Sequence, residues 1–223
     1  MGSIRKEGSK HIRYEDYLVT IYRLKEVFGY ARTTDIASEL GVTPATVSKV
    51  IKGLESKGLV KRIKYKYTVL TEKGRDIAEQ IIRKHRIAEA FLNTMLGFDL
   101  VESHIYAHSL EHLPDIIIER IYNVLGKPKH CPHGNKIPGI DVEDEAELAN
   151  LSDVDEGVMC VVKKIAGEFL SALEYLRGIH ITLESVFEVV NKDEKIIRVK
   201  QVGKDIVEIP VQVARFIFVK CID

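Results

Sequence analysis

The chain has 223 residues, a formal net charge of zero, 45% hydrophobic residues and 30% charged residues, a composition typical of globular proteins with one large or two to three small domains. No stretch approaches the roughly 18 uninterrupted apolar residues of a membrane span, and the polar start is unlike a signal peptide. We therefore expect a cytoplasmic protein with no membrane partner. Cys131, Cys160 and Cys221 are widely spaced and form no C-x-x-C motif, which argues against a disulfide framework.

The zero net charge hides an asymmetry along the chain. Residues 1–90 carry about 19 Lys and Arg against about 11 Asp and Glu, whereas the remainder carries about 14 against about 22. The basic first part is therefore where a polyanion would bind.

Two short helices with a sharp turn between them are predicted after a first helix at residues 11–28. Thr34 is placed to cap the first of the two, and Gly41 can take the positive φ that ends it. Thr43 then caps the second, with Pro44 at its first position, where no amide donor is needed. This pattern is typical of a helix-turn-helix.

The second helix of this motif has one apolar and one small polar face. Val47, Val50, Ile51 and Leu54 form its buried side. Short side chains on the other side allow close approach to the major groove, and lysines meet phosphates. The predicted DNA-contacting residues of this helix are Thr43, Ala45, Thr46, Ser48, Lys49 and Lys52.

A run of alternating apolar and basic residues at 59–71 predicts a two-stranded wing with its turn near Lys64 to Lys66. A run of Lys and Arg is more often a solvated face. Directly after a helix-turn-helix in the basic part of the chain, however, phosphate contacts are favoured. The residues predicted to lie near the DNA backbone are Lys61, Arg62, Lys64 and Lys66.

Four ligand-type side chains occur at helical spacing in the stretch 104–112. His104, His108, Glu111 and His112 would share one face of a helix, and the apolar residues between them would pack it against a core. Imidazole nitrogen together with carboxylate oxygen suits divalent first-row metals. A solvated polar face is the alternative, but four such residues favour a metal site.

A long helix predicted at 75–96 carries His85 and Glu89, four residues apart and so on one face. Such a pair is more often a surface hydrogen bond than a pair of ligands. Antiparallel packing of this helix against the 104–112 helix would bring both sets of ligand-type residues together.

A third helix is predicted at 114–125. Its isoleucines, with Tyr122 and Leu125, make it too apolar to be exposed, so we expect a dimer interface and a homodimer.

The loop at 127–139 is rich in proline and glycine and must be irregular. His130, Cys131 and His133 suggest zinc, but one thiol and two histidines so close in sequence make a poor tetrahedral set without help. A structural loop is favoured.

After an acidic linker at 141–150, the pattern changes from helix to strand. Short strands with one helix at 168–177 suggest a small SH3-like barrel, commonly an interaction module. The predicted strands are 158–162, 185–190, 196–202, 206–211 and 217–221.

In this order, the parts resemble the diphtheria toxin repressor family of iron- or manganese-dependent transcription regulators, over essentially the whole chain. The most specific elements are Glu15-Asp16-Tyr17-Leu18, Arg83-Lys84-His85-Arg86 with Glu89, and Leu110-Glu111-His112. The implied fold is mainly α with small β parts. Its divisions are a winged-helix DNA-binding domain at 1–74, a helical metal-binding and dimerisation domain at 75–140, the linker at 141–150, and an SH3-like domain at 151–223.

The resemblance implies two neighbouring metal sites. The primary, activating site would use Asp16 with His108, Glu111 and His112, and the ancillary site would use His85, Glu89 and His104. The third domain would add a ligand, for which Glu168 is the nearest match and Glu174 the competitor. Asp16 and His108 stand where iron-type members have Met and Cys. Fe(II) or Mn(II) is the expected activator, with Zn, Co or Ni as candidates in vitro.

The function expected from the resemblance is metal-activated repression of metal-homeostasis genes, by a homodimer on a palindromic operator in double-stranded DNA. One alternative is a winged-helix protein that binds DNA without metal. Another is a binuclear metal hydrolase, against which the sequence has no H-E-x-x-H motif and no candidate nucleophile beside a base. We therefore expect that the protein is not an enzyme.

Overall fold

A computed structural model describes residues 12–63, 66–141, 148–201 and 203–222. They form two compact units. The first contains the chain up to Lys25 together with Tyr30–Ala78, and the second contains Glu26–Gly29 and the chain from Glu79 onward. Among the described residues, no helix combines the length and apolar character that crossing a membrane demands.

The first unit is a winged helix-turn-helix built on an apolar core. Leu18, Ile21, Ile36, Val47 and Ile51 are all buried in it. The two strands pair antiparallel, with Val60 opposite Leu70 and Ile63 opposite Tyr67. Its elements are α1 (Tyr14–Phe28), α2 (Thr33–Leu40), α3 (Pro44–Ser56), β1 (Val60–Ile63) and β2 (Tyr67–Leu70).

The turn between α2 and α3 follows the sequence prediction at its second half. Gly41 ends α2 with a φ of 65°. The Thr43 side chain accepts a hydrogen bond from the backbone N of Thr46 at 3.2 Å, with proline at the first turn. The predicted cap at Thr34 is wrong. Arg32 holds the extended backbone before α2, so Thr34 already lies inside the helix.

Three helices follow: α4 (Glu72–Leu96), α5 (Leu100–Leu110) and α6 (Asp115–Val124). The Thr71 hydroxyl accepts from the backbone N of Gly74 at 3.1 Å, so α4 begins three residues earlier than predicted. α5 begins with a reciprocal capping box between Asp99 and Glu102. It ends at Leu110 rather than continuing through residue 112, because a following proline at 114 disfavours further helix.

The rest of the second unit is an antiparallel sheet in the order β3-β8-β4-β5-β6-β7. Buried aliphatic and aromatic side chains from alternate strand positions form its core with α7, which confirms a mainly helical protein with a small β module. The elements are β3 (Ala149–Asn150), β4 (Met159–Ile165), α7 (Leu170–Gly178), β5 (Val186–Lys192), β6 (Ile196–Gln201), β7 (Ile206–Pro210), α8 (Val211–Ala214) and β8 (Ile217–Ile222).

The helix predicted at 168–177 is split. A 3-10 turn at Ala166–Glu168 follows β4, and α7 begins only at Leu170. Gly167 and Glu168 take positive φ values of 77° and 47°, which interrupts the helix. The helices from α5 onward and the sheet lie in one compact unit, and the predicted division at 140 and 151 stays a prediction.

The loop between α6 and the sheet packs backbone to backbone against β4. A Cβ added to Gly134 would lie 2.2 Å from the carbonyl oxygen of Lys163, so only glycine fits there. The backbone N of Ile165 donates to the carbonyl of His133 at 2.8 Å, and the Asn135 amide donates to the carbonyl of Ile165 at 2.8 Å. These bonds fix the loop on the end of β4.

Candidate metal centre and nucleic-acid interface

The first group of ligand atoms, the histidine cluster, consists of His85, His104 and His108, whose ring nitrogens lie within 4.8 Å of one another. His85 Nε2 and His104 Nδ1 are 3.1 Å apart, and each lies 3.0 Å from Glu89 Oε1. Three potential ligand atoms therefore form a triangle of nearly equal sides. Metal–ligand distances of about 2.1 Å place adjacent atoms of an octahedral shell about 3 Å apart, so these atoms fit one face of such a shell.

His85 and Glu89 are 1% and 0% exposed, so the interpretation of this pair as a surface hydrogen bond is wrong. The antiparallel packing of α4 and α5 was the better guide, because it brings both residues against His104. Burial of imidazole and carboxylate groups is costly unless they have partners, and here each has the others.

Glu111 joins the histidine cluster from just beyond α5. Its Oε2 lies 2.6 Å from His85 Nδ1, and its Oε1 lies 3.3 Å from His108 Nδ1 and 3.6 Å from His112 Nε2. The His112 side chain is 42% exposed. Sequence spacing therefore predicted that His108, Glu111 and His112 lie close together. Glu111 and His112 nevertheless lie past the end of α5.

Asp16, the other predicted ligand of the primary site, lies in the first turn of α1 in the first unit. Its Oδ2 accepts a hydrogen bond from the backbone N of Arg13 at 2.7 Å. Its role as a ligand stays a prediction.

Glu111 and Glu89 are held as carboxylates by the histidines. Burial acts to raise the pKa of Glu111, but hydrogen bonds and charge from His108 and His85 outweigh it and leave the pKa lowered. The same balance, with charge on His133 and His85, holds the pKa of Glu89 well below its usual range. The Glu111 and Glu89 side chains therefore keep their negative charge, and both oxygens of each carboxylate can serve as metal ligands.

The second group of ligand atoms, the cysteine cluster, consists of Glu89, Cys131 and His133, all buried. Glu89 Oε2 lies 3.3 Å from His133 Nδ1, and Cys131 Sγ lies 3.7 Å from the same nitrogen. Glu89 therefore presents one oxygen to each cluster. His133 Nε2 donates to the carbonyl of Leu100 at 3.1 Å, which orients the ring with Nδ1 toward the cluster.

The interpretation of the 127–139 loop as purely structural missed these donors. Cys131 and His133 were visible in the sequence, but their partners are remote. Glu89 is 44 residues from His133, and Glu168 is 37 residues from Cys131. Only the fold brings them together.

Glu168 lies beside the cysteine cluster and is fully buried. Its Oε1 accepts from Arg86 Nε at 2.7 Å and lies 3.6 Å from Cys131 Sγ. Glu174, its competitor in the sequence, is exposed on α7, and a role as a ligand stays a prediction for either residue.

Arg86 is a completely buried cation that contacts Glu168 and Glu26 and donates to the carbonyl of Lys136 at 2.6 Å. Burial acts to lower its pKa, but the two carboxylates hold it well above the usual value. The Cys131 pKa is raised by burial and by Glu89 and Glu168, so the ion-free thiol keeps its proton. A thiolate here requires an added positive charge, which a divalent cation supplies.

The exposed face of α3 agrees with the predicted division of that helix. Val47, Ile51 and Leu54 are buried. The residues predicted to contact DNA are exposed: Thr43, Ala45, Thr46, Ser48, Lys49 and Lys52. Their DNA contacts stay a prediction.

On the wing, Lys61, Arg62 and Lys66 are exposed, whereas Lys64 lies outside the described residues. Arg62 binds Glu55 of α3 through its side chain, with Nε to Oε2 at 2.7 Å, and through its backbone N to Oε1 at 3.0 Å. These bonds lower the pKa of Glu55. A phosphate would compete with Glu55 for Arg62.

A winged helix-turn-helix, joined in one chain to a unit that buries clustered imidazole, carboxylate and thiol groups, defines a class of DNA-binding proteins that carry their own metal centre. Residues 12–67 match the family described as iron dependent repressor, N-terminal DNA binding domain. Residues 71–139 match iron dependent repressor, metal binding and dimerisation domain.

Individual relatives agree. The iron-dependent repressor IdeR of Mycobacterium tuberculosis is 36% identical over 163 residues, covering 68% of this chain and 70% of that protein. The HTH-type transcriptional regulator MntR of Listeria welshimeri is 40% identical over 115 residues, covering 50% of this chain and 78% of that protein.

Solved structures extend the likeness to the C-terminal module. A manganese-dependent transcriptional repressor in complex with manganese superposes with a TM-score of 0.79 at 30% identity, covering 94% of this chain and 100% of that one. IdeR of T. acidophilum gives 0.81 at 28% identity, covering 96% and 100%. The chain belongs to the diphtheria toxin repressor family of iron- and manganese-dependent transcriptional regulators.

Proposed function

We propose that this protein is a metal-activated transcriptional repressor that binds a palindromic operator as a homodimer when Fe(II) or Mn(II) is bound, and so controls metal-homeostasis genes. The observation that carries the proposal is the buried triangle of His85 Nε2, His104 Nδ1 and Glu89 Oε1, with sides of 3.0 to 3.1 Å. The relatives named iron-dependent and manganese-dependent repressors support the choice of metals.

The proposed ligands fall into two sets that share Glu89. The histidine cluster, with Glu111 and His112, offers nitrogen and oxygen donors, which suit Fe(II) and Mn(II). The cysteine cluster, with Glu168, adds a sulfur donor and so favours softer ions such as Zn(II). The resemblance implied a different grouping, in which Cys131 and His133 were not ligands. In the structure Glu89 contacts both clusters, and Cys131 and His133 belong to the cysteine cluster.

A bound divalent cation supplies positive charge to groups that otherwise rely on protons and on one another. The protein contributes the arrangement of the donors. Leu100 orients the His133 ring through its carbonyl, and Arg86 fixes the Glu168 carboxylate. Asp16, in the DNA-binding unit, is retained as a proposed ligand. Its participation would link metal binding to DNA binding, and by reciprocity DNA would raise metal affinity.

The homodimer is supported by α6. Ile116 and Val124 are 63% and 68% exposed, while Ile118 and Tyr122 on the same helix are buried in the unit's own core. Large exposed aliphatic side chains on one helix suit a second copy of the chain. A cytoplasmic location and the lack of enzymatic activity belong to the same proposal and follow the family's regulatory role.

The central experiment measures DNA binding as metal is removed and restored. DNA selected from random duplexes by the manganese-loaded protein would be titrated by fluorescence anisotropy, with chelator and then with Fe(II), Mn(II), Zn(II), Co(II) or Ni(II). We expect chelator to weaken specific binding by at least about 10-fold, and Fe(II) or Mn(II) to restore it. Affinity that is indifferent to chelator would instead establish metal-independent DNA binding.

Two variants locate the effect. Asp16→Ala is expected to lose metal activation while keeping its circular dichroism spectrum. His180→Asn, a surface histidine remote in sequence from both clusters, is the matched control and should behave as wild type. Unchanged metal-dependent DNA binding by Asp16→Ala would remove Asp16 from the mechanism. Metal-dependent hydrolysis of a generic ester by the purified protein would revive the hydrolase alternative.

A further inference from the structure

Two of the three cysteines lie directly opposite each other on neighbouring strands of the C-terminal sheet. In the antiparallel register of β4 and β8, Cys160 pairs with Cys221, and their sulfur atoms are 3.9 Å apart. Both are free thiols. Directly opposed residues place their Cβ atoms about 4.5–5.5 Å apart, so a small closure of the two side chains reaches the geometry of a disulfide.

The two thiols differ in their access to solvent. Cys160 is 0% exposed, whereas Cys221 is exposed. Burial, with the neighbouring Cys221, raises the pKa of Cys160 to about 12, so Cys160 is a protonated thiol at neutral pH. A small oxidant therefore meets Cys221 first, with a second thiol already in contact behind it.

We propose that Cys160 and Cys221 are a redox modification site, at which hydrogen peroxide converts the two thiols into a reversible disulfide that crosslinks β4 to β8. This inference does not depend on the metal or DNA function.

The chemistry takes two steps. The Cys221 thiolate attacks one peroxide oxygen, the O–O bond breaks, and the products are a sulfenic acid on Cys221 and hydroxide. The Cys160 sulfur then attacks the sulfenic sulfur, the S–O bond breaks, and the Cys160 proton leaves with that oxygen as water, while the proton that Cys221 gave up on ionising converts the first hydroxide into water. Two thiols and one peroxide give one disulfide and two waters, with two electrons passing from sulfur to oxygen.

Cys131 does not compete for this role. Its sulfur contacts His133 and Glu168 inside the cysteine cluster, and it is buried beside two carboxylates. A negative environment opposes the thiolate that peroxide needs. The disulfide is therefore specific to the pair on the sheet.

The crosslink would join the first and last long strands of the C-terminal module. Cys160 lies near the start of β4 and Cys221 near the end of β8, so the closed loop contains β5 to β7, α7 and α8. Closing a loop of this size constrains the unfolded chain, and we expect the melting temperature of the module to rise by on the order of 10 °C.

The test exposes full-length, chelator-treated protein to hydrogen peroxide and measures intact mass, followed by peptide mapping without reduction. We expect a loss of two hydrogens, a peptide linked through Cys160 and Cys221, and reversal by dithiothreitol. Cys131→Ser should behave identically, which separates this site from the metal centre.

Two further variants resolve the order of the steps. Cys160→Ala keeps an apolar core residue and should stop at a sulfenic acid on Cys221 that dimedone captures. Cys221→Ser should show no oxidation at Cys160. A disulfide through Cys131, a dimer linked through Cys221, or direct oxidation of Cys221 to the sulfinic acid in the wild type would each overturn the proposal. The melting temperatures of the oxidised and reduced wild type, compared by calorimetry, test the crosslink in the folded protein.

Discussion

The histidine cluster and the cysteine cluster both bring imidazole groups against Glu89, but they are encoded differently. The histidine cluster takes most of its donors from α4 and α5, where regular helical spacing puts them on facing sides. The cysteine cluster takes its donors from a helix and an irregular loop, and Glu168 beside it comes from a 3-10 turn. Glu89 serves both, with one oxygen toward each. A site built from regular helices can be predicted from sequence spacing, whereas a site built from loops cannot.

The largest expected effect concerns the support of the cysteine cluster. Arg86→Met removes a fully buried cation and the charge that balances the buried Glu168 carboxylate, so we expect a loss of about 3–5 kcal/mol in the free energy of unfolding. Urea denaturation of the metal-free protein measures it.

Arg86→Met combined with Glu168→Leu is the control for this prediction. It removes both charges, so it should recover a large part of the loss. If the double variant is no more stable than the single one, the ion pair is not what holds the turn beside the cluster.

The next effect tests whether the clusters depend on each other. Glu89→Gln removes the carboxylate that both share, and we expect Mn(II) and Zn(II) affinity to fall by more than about 100-fold, since losing even an outer partner of a ligand costs about 10–100-fold. Isothermal titration calorimetry with each ion is the measurement.

Glu174→Gln, an exposed change of the same chemistry on α7, is the matched control and should leave both affinities intact. Retention of one full-affinity site in Glu89→Gln would show that the clusters are independent.

The smallest effect separates the clusters by metal preference. Cys131→Ser replaces the sulfur donor with a harder oxygen, so Zn(II) affinity should fall on the order of 10-fold while Mn(II) affinity changes less. Competition with a chromophoric chelator measures the affinity of the same protein for Zn(II) and for Mn(II). An equal loss for the two ions would mean that the thiol does not select between them.

Sequence reasoning worked where local chemistry decides the structure. The Thr43 and Pro44 start of α3, its buried and exposed faces and the strands of the C-terminal module follow from capping, helical period and strand alternation. The proximity of His85 and Glu89 to His104 was predicted from the packing of α4 against α5. Their complete burial did not, because burial depends on what packs around the pair.

The misses have two physical origins. Cys131 and His133 were undervalued because their partners come from distant parts of the chain, and spacing carries no signal across 37 or 44 residues. The end of α5 at Leu110 was missed because ligand spacing was extended past the point where Pro114 stops the helix.

The close approach of Gly134 to the Lys163 carbonyl makes the loop at 127–139 depend on the C-terminal module. The loop carrying Cys131 and His133 is shaped by β4 as much as by its own prolines and glycines, through the absent side chain at 134 and the bonds of His133 and Asn135 to Ile165. A chain that ended before β4 would keep the residues of the histidine cluster. It would lose the strand that holds the loop of the cysteine cluster in place. The C-terminal module therefore shapes the second of the two donor clusters, and under the proposed function a chain without that module would respond to a different set of ions.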